Sequence, residues 1–187
     1  MSNPPSQPQM THHQQAGSKT VEVRSLNLPF YHSNKFEFDA FLRTGKKGNP
    51  LPVYKWEFDV NLKMSTGTKP QGQRHYDYDH EKQEYFKIDV AEIGHMIHFL
   101  ERPDPNKDVE FNHKPEGANV LKKLVMKFEP PSDKGASFTL AYMVFENQKQ
   151  DMARKRYIKL NVGEARLLRE YLLVCAAKKF ENYHEKN

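Results

Sequence analysis

The residues best suited to chemistry in this 187-residue chain are lysines and aromatics spaced two apart in alternating stretches. On a strand, alternation sends successive side chains to opposite faces. Lys55, Lys63, Lys123, Lys127, Tyr157 and Lys159 are therefore expected on an open sheet face. Flexible ammonium groups at that spacing suit a phosphate backbone because they need no fixed partner geometry. Arg154 and Lys155 extend the basic set, and Tyr157, Tyr142, Phe138 and Phe41 are the candidate platforms for stacked bases by parity. Each such stack contributes about 1–3 kcal/mol. Glu37, Asp39, Glu57 and Asp59 would weaken a phosphate track in the first half, and a one-position slip of face would return Tyr142, Phe138 and Phe41 to the core.

Catalytic arrangements are not found. His95 and His98 lie three apart, without the i, i+4 spacing and adjacent Glu of a helical zinc protease. No Gly-rich phosphate loop, Cys-x-x-Cys or nucleophilic-Ser elbow occurs. Cys175 sits among Leu172, Leu173, Val174, Ala176 and Ala177 and reads as a buried, inert thiol. The run Arg74-His75-Tyr76-Asp77-Tyr78-Asp79-His80 suits a nucleic-acid-contacting loop or adventitious metal binding, but its ligand spacing is not diagnostic. Asp77 with Asp79, or Glu37 with Asp39, match ordinary strand-face acids as well as a nuclease metal pair. The expectation is a non-enzyme without metal or cofactor.

The elements that must position these residues follow from periodicity. Lys35 to Arg43 and Tyr54 to Met64 alternate, the latter with Tyr54, Trp56, Phe58, Val60, Leu62 and Met64 on one face, so Trp56 reads as a core anchor. Gly45, Gly48, Pro50 and Pro52 predict one loop, and Ser65 to Gln73 another. Tyr85 to Val90 predicts a strand, followed by a helix carrying Ile93, Met96, Ile97 and Leu100 that Pro103 and Pro105 stop. Strands are expected at Lys122–Glu129, Phe138–Glu146 and Lys155–Val162, then a helix to about Phe180. That helix has apolar residues on two sides, more than one sheet face covers, so part of it should meet the other helix or another subunit.

Tyr85-Phe86-Lys87-Ile88-Asp89-Val90-Ala91-Glu92 matches Tyr157-Ile158-Lys159-Leu160-Asn161-Val162-Gly163-Glu164 at a constant offset of 72. Both copies place Glu three residues after a capping Asp or Asn, the capping-box spacing. The fold expected is α+β: duplicated antiparallel sheet-plus-helix units with helices packed together, the repeats covering about 21–102 and 118–182 within one domain, 19–187. Residues 1–18, rich in Pro, Ser, Gln and His, read as a disordered tail.

Composition supports a globular chain: 37% hydrophobic, with 12 Phe and 9 Tyr. The net charge of +5 is placed unevenly, with 14 Lys and Arg against 8 Asp and Glu from Lys122 onward and 15 against 16 before it. That asymmetry hints at a polyanionic partner. No signal peptide, transit peptide or spanning segment is read, and a single cysteine suits a reducing compartment, so an intracellular setting without membrane insertion is expected: cytoplasm, nucleoid or nucleus.

The phrase Arg156-Tyr157-Ile158-Lys159-Leu160-Asn161-Val162-Gly163-Glu164-Ala165-Arg166-Leu167-Leu168, repeated as Tyr85 to Met96, resembles the strand, small residue-Glu-Ala, Leu-Leu phrase of the Whirly and Pur-alpha group. That group of single-stranded nucleic-acid-binding proteins includes the trypanosome mitochondrial guide-RNA-binding proteins. The resemblance covers roughly Val21 to Phe180. The Lys-Gly-Lys-Ala-Ala-Leu run of the plant Whirly proteins is absent, and Lys46-Lys47-Gly48-Asn49 is the nearest approach. The resemblance implies a homo-oligomer that binds single-stranded DNA, or RNA, with little sequence preference. Two rivals use the same fold: an assembly module dependent on Leu167, Leu168 and Leu172, and a metal-dependent nuclease.

Overall fold

Alternation of apolar and polar residues builds two antiparallel sheets, and the apolar row of each faces a shared core. The computed structural model describes residues 25–43, 45–46, 49–50, 57–117, 119–146 and 152–184. The tail at 1–18 and the predicted positions Tyr54, Lys55 and Trp56 lie outside them. The first sheet contains β1 (Ser25–Tyr31), β2 (Asn34–Arg43), β5 (Glu57–Thr68) and β7 (Glu84–Ile88), followed by α1 (Val90–Glu101). The second contains β8 (Val109–His113), β9 (Val120–Ser132), β10 (Gly135–Glu146) and β11 (Met152–Asn161), followed by α2 (Val162–His184). Each is a four-strand meander ending in a helix, the duplicated α+β architecture expected. Two short pairs complete it: β3 (Gly45–Lys46) with β4 (Asn49–Pro50), and β6 (Asp77–Tyr78) with the end of β5.

The offset of 72 holds in atomic detail. Asp89 Oδ1 accepts from the Glu92 amide at 2.8 Å while the Asp89 amide donates to Glu92 Oε2 at 2.9 Å. In the second copy Asn161 Oδ1 accepts from the Glu164 amide at 3.0 Å and the Asn161 amide donates to Glu164 Oε2 at 2.9 Å. Both capping glutamates also meet a histidine from the opposite unit. His113 Nε2 lies 2.6 Å from Glu92 Oε1, and His32 Nε2 lies 3.1 Å from Glu164 Oε1. The helix starts thereby tie the two sheets together.

Phe36, Phe38, Leu62, Met64, Phe86 and Ile88 of the first sheet share one buried cluster with Leu124, Met126, Leu140 and Leu160 of the second. Ile93, Met96 and Phe99 of α1 and Ala165, Leu168, Leu172 and Cys175 of α2 enter the same cluster. Arg169 Nε donates to Glu101 Oε1 at 2.9 Å between the helices, and the Tyr171 hydroxyl donates to the Leu26 carbonyl at 2.8 Å. Among the described residues no helix is long and apolar enough to cross a membrane.

Three differences from the sequence reading matter. Strands β1 and β8 are additional, so the second sheet begins at Val109. The loop expected from Ser65 is strand as far as Thr68: the Gly67 amide donates to the Ser33 carbonyl at 3.0 Å, and a Cβ on Gly67 would stand 2.7 Å from that oxygen. Only glycine permits that approach. Finally, β10 is oriented so that Phe138 and Tyr142 point with Leu140 into the core, contrary to the stacking role assigned to them. Its other row, Thr139, Ala141, Met143 and Phe145, is outward and also largely apolar. Period-two patterning therefore carried no preference between the faces.

Candidate nucleic-acid interface

The outer face of the second sheet carries most of the predicted basic residues. Register places Lys127, Thr139 and Lys159 in one row, Val125, Ala141 and Tyr157 in the next, and Lys123, Met143 and Lys155 in a third. Tyr157 is half exposed, and its carbonyl accepts from Asn34 Nδ2 at 3.0 Å. The ammonium groups, however, have carboxylate neighbours. Lys123 lies 2.6 Å from Glu110, Lys127 2.5 Å from Asp108, and Lys159 2.7 Å from Glu129. The Asp108 hydrogen bond raises the pKa of Lys127, and the Lys159 hydrogen bond lowers that of Glu129. Lys155 is exposed and forms no ion pair with a described residue.

On the first sheet Lys63 is similarly held, 2.5 Å from Asp39. Burial works against its ammonium, but the hydrogen bond and charge of Asp39 prevail and raise its pKa. Phe41 is partly buried on this outer face, opposite Asp59 in register. Glu37 and Asp39 are occupied by Lys35 and Lys63.

A more concentrated site lies between the sheets. Edge strand β7 and residues of β8 to β11 together line adjoining clefts of about 540 and 390 Å³ that share Tyr85, Pro115 and Lys122. Pairing explains the floor. His113, Lys122, Val144 and Arg154 form one cross-strand row, and Phe111, Leu124, Tyr142 and Arg156 the next row inward. Lys87, Lys114, Lys122 and Arg154 line the clefts against one carboxylate, Glu84. Lys122 Nζ donates to the Tyr85 carbonyl at 2.9 Å, and burial followed by the nearby Arg154 charge lowers its pKa. Arg154 lies 3.0 Å from Glu84 and 3.2 Å from Glu146; Arg156 also binds Glu84. Tyr85 presents an exposed ring beside Lys122, and its hydroxyl donates to Gln83 at 3.0 Å.

The structure thus brings Arg154 and Tyr142 to the cleft and leaves Lys63, Lys123, Lys127, Lys155, Tyr157 and Lys159 on the outer faces. Lys87, Lys114, Lys122 and Tyr85 were missed as site residues. One signal for them was present, since Tyr85 and Lys87 are the repeat equivalents of Tyr157 and Lys159. Tyr142 is not a stacking platform: the side chain is fully buried, and its hydroxyl has no hydrogen-bond partner. Leaving such a group unpaired costs about 1–3 kcal/mol.

The remaining titratable clusters have structural work. His95 and His98 are exposed on α1. Burial pushes the Cys175 thiol up to about 11. In the Arg74–His80 run, Asp79 Oδ1 accepts from the Glu81 and Lys82 amides, both at 3.1 Å, and Tyr78 donates to the His32 carbonyl at 2.7 Å. Among the described residues, the one group of three metal-type side chains within mutual reach is Asp89, Glu92 and His113. Its atoms are engaged in the α1 capping box and the His113 contact.

Comparison with known proteins agrees with this architecture. No curated protein sequence matches the chain. WHY1 from Arabidopsis thaliana is similar in fold, with a TM-score of 0.58 and 17% identity over 81% of this chain and 83% of that one. The plant transcriptional regulator PBF-2 is similar with a TM-score of 0.54 and 20% identity, over 86% and 92%. The family model described as Whirly transcription factor matches residues 59–171, a span from near the start of β5 through both capping boxes into α2. The chain belongs to the Whirly family of nucleic-acid-binding regulators.

Proposed function

We propose that this protein is a non-catalytic single-stranded nucleic-acid-binding protein, with DNA favoured over RNA and little overall sequence preference. The observation that carries the reading is the cleft beneath β7, where Lys87, Lys114, Lys122 and Arg154 face one carboxylate beside the exposed Tyr85 ring. Cations neutralise phosphates, while an open aromatic face accepts a base that is not already paired. Lys155, Tyr157 and Lys159 on β11 continue the path, with Lys63, Lys123 and Lys127 as outer contacts. The carboxylate partners of Lys127 and Lys159 are no obstacle, since exposed ion pairs contribute only about 0–1 kcal/mol and a phosphate can replace them.

Labelled single-stranded DNA, single-stranded RNA and duplex DNA, titrated by fluorescence anisotropy over a salt series, test this. Tight single-strand binding that weakens as salt rises is expected. Equal, negligible binding to all three would remove the reading.

Self-association is a second part of the proposal, supported by α2. Leu167, Leu173, Val174 and Phe180 are exposed on that helix while Leu168 and Leu172 are buried. The assembly reading therefore rests on the exposed set, and Leu168 and Leu172 belong to the core of the single chain. Sedimentation velocity separates the two uses of the helix.

A further inference from the structure

Among the described residues, the Tyr142 hydroxyl is the one buried side-chain polar atom in the lining of the clefts without a partner, and Tyr142 lines the smaller cleft. Buried polar groups in native proteins are paired, so an orphan calls for an explanation. Its ring is fixed edge-to-face against Phe86, with centroids 6.3 Å apart, and its strand neighbours are Leu124 and Arg156. Above it, Lys122 and Arg154 flank Val144 in the adjacent row. Burial pushes the phenol up to about 12, so it remains a neutral O–H donor at physiological pH. Lys122 and Arg154 carry only donors. The nearby acceptor, Glu84, is already bound by Arg154 and Arg156.

Resting on the strand-binding role proposed above, we infer that this pocket reads one nucleobase, with the Tyr142 hydroxyl and the Lys122 ammonium donating to a carbonyl oxygen on its edge. A phosphate engaging Arg154 draws that long side chain outward, Lys122 exchanges the Tyr85 carbonyl for the base oxygen, and the hydroxyl opens to the base. A keto base, thymine, uracil or guanine, offers the acceptor these donors require. An amino group in the place of that oxygen, as at ring position 4 of cytosine, turns its N–H groups toward the Lys122 ammonium, which has no acceptor, and is disfavoured. One such pocket adds a local base preference to binding that is otherwise governed by charge.

The test uses the full chain, with labelled oligo-dT and oligo-dC of equal length, which differ at ring position 4 as keto against amino. Wild type is expected to bind oligo-dT about fivefold more tightly. In Tyr142→Phe that ratio falls to about twofold, Lys122 alone remaining to favour the keto oxygen, while the melting temperature stays level or rises because no partner has been removed. A ratio that stays at the wild-type value in Tyr142→Phe, or a wild-type ratio of one, overturns the base-reading role. A lower melting temperature in the variant overturns it too, by showing that the hydroxyl already has a partner in the free protein. Failure of both oligonucleotides to bind at low salt removes the strand-binding role itself, and the inference with it.

Discussion

Replacing Lys114 and Lys122 together by glutamine takes away the two cleft cations that form no ion pair with a described residue, leaving Lys87, held by Asp59, and Arg154, held by Glu84 and Glu146. For single strands the logarithm of affinity falls with the logarithm of salt at about 0.7 per neutralised phosphate. Four cleft cations then give a slope of about −2.8, or about a 50-fold loss between 50 and 200 mM salt. With two cations left the slope is about −1.4 and the loss about sevenfold. Glutamine keeps a donor for the Tyr85 carbonyl, so the floor of the cleft is preserved. Anisotropy titrations at several salt concentrations give the slopes directly, with Lys127→Gln for comparison. Lys127 sits on the outer face beside Asp108 as a single secondary contact, and its loss lowers the slope by no more than about 0.7. A slope reduced as much by Lys127→Gln as by the cleft pair would place the phosphates on the outer sheet and refute the cleft.

Asn161→Ala removes the side-chain half of the α2 capping box and is expected to cost about 1 kcal/mol, read as a melting-temperature drop of about 2–4 °C; no change would mean that the cap is redundant. The Cys175 thiol is held protonated by burial, with its pKa raised from 9.0 to about 11. Its contribution to stability is therefore complete below pH 9 and lost as pH rises toward 11, and a thiol reagent at pH 8 should label it only after denaturant is added. Fast labelling of the native protein would contradict the burial. Leu167→Glu should lower the sedimentation coefficient of the assembled protein while leaving its circular dichroism intact, whereas Leu168→Glu should unfold the chain, because the first side chain is exposed and the second fully buried. Identical behaviour of the two variants would undo the division of α2 into an outer and a core face.

Local physics made much of this fold readable in the amino-acid order. Alternation in β2, β5 and β11 marked a buried row, and Asp89 with Glu92, like Asn161 with Glu164, announced where each helix begins. These are interactions between residues within a few positions of one another, so their spacing survives in one dimension. The offset of 72 further implied two similar units and, through them, the α+β class. Short β1 and β8 were not legible, nor was the extension of β5 through Ser65, which depends on Gly67 meeting a carbonyl 34 residues earlier in the chain. Tyr142 was assigned outward because both rows of β10 are apolar enough to be buried, and only packing chose between them. The partners of the lysines, Glu110, Asp108, Glu129 and Asp39, come from other strands or, for Asp108, from the residue before β8. The cleft joins Asn61, Tyr85, His113, Lys122, Tyr142 and Arg154 from six strands. By itself the sequence determined the strands' periodicity, the helix caps, the duplication and the basic second half. Tertiary structure decided which cations are balanced, which tyrosine is buried and where a concave basic surface forms, because register and sheet docking are set by contacts between residues far apart in the chain.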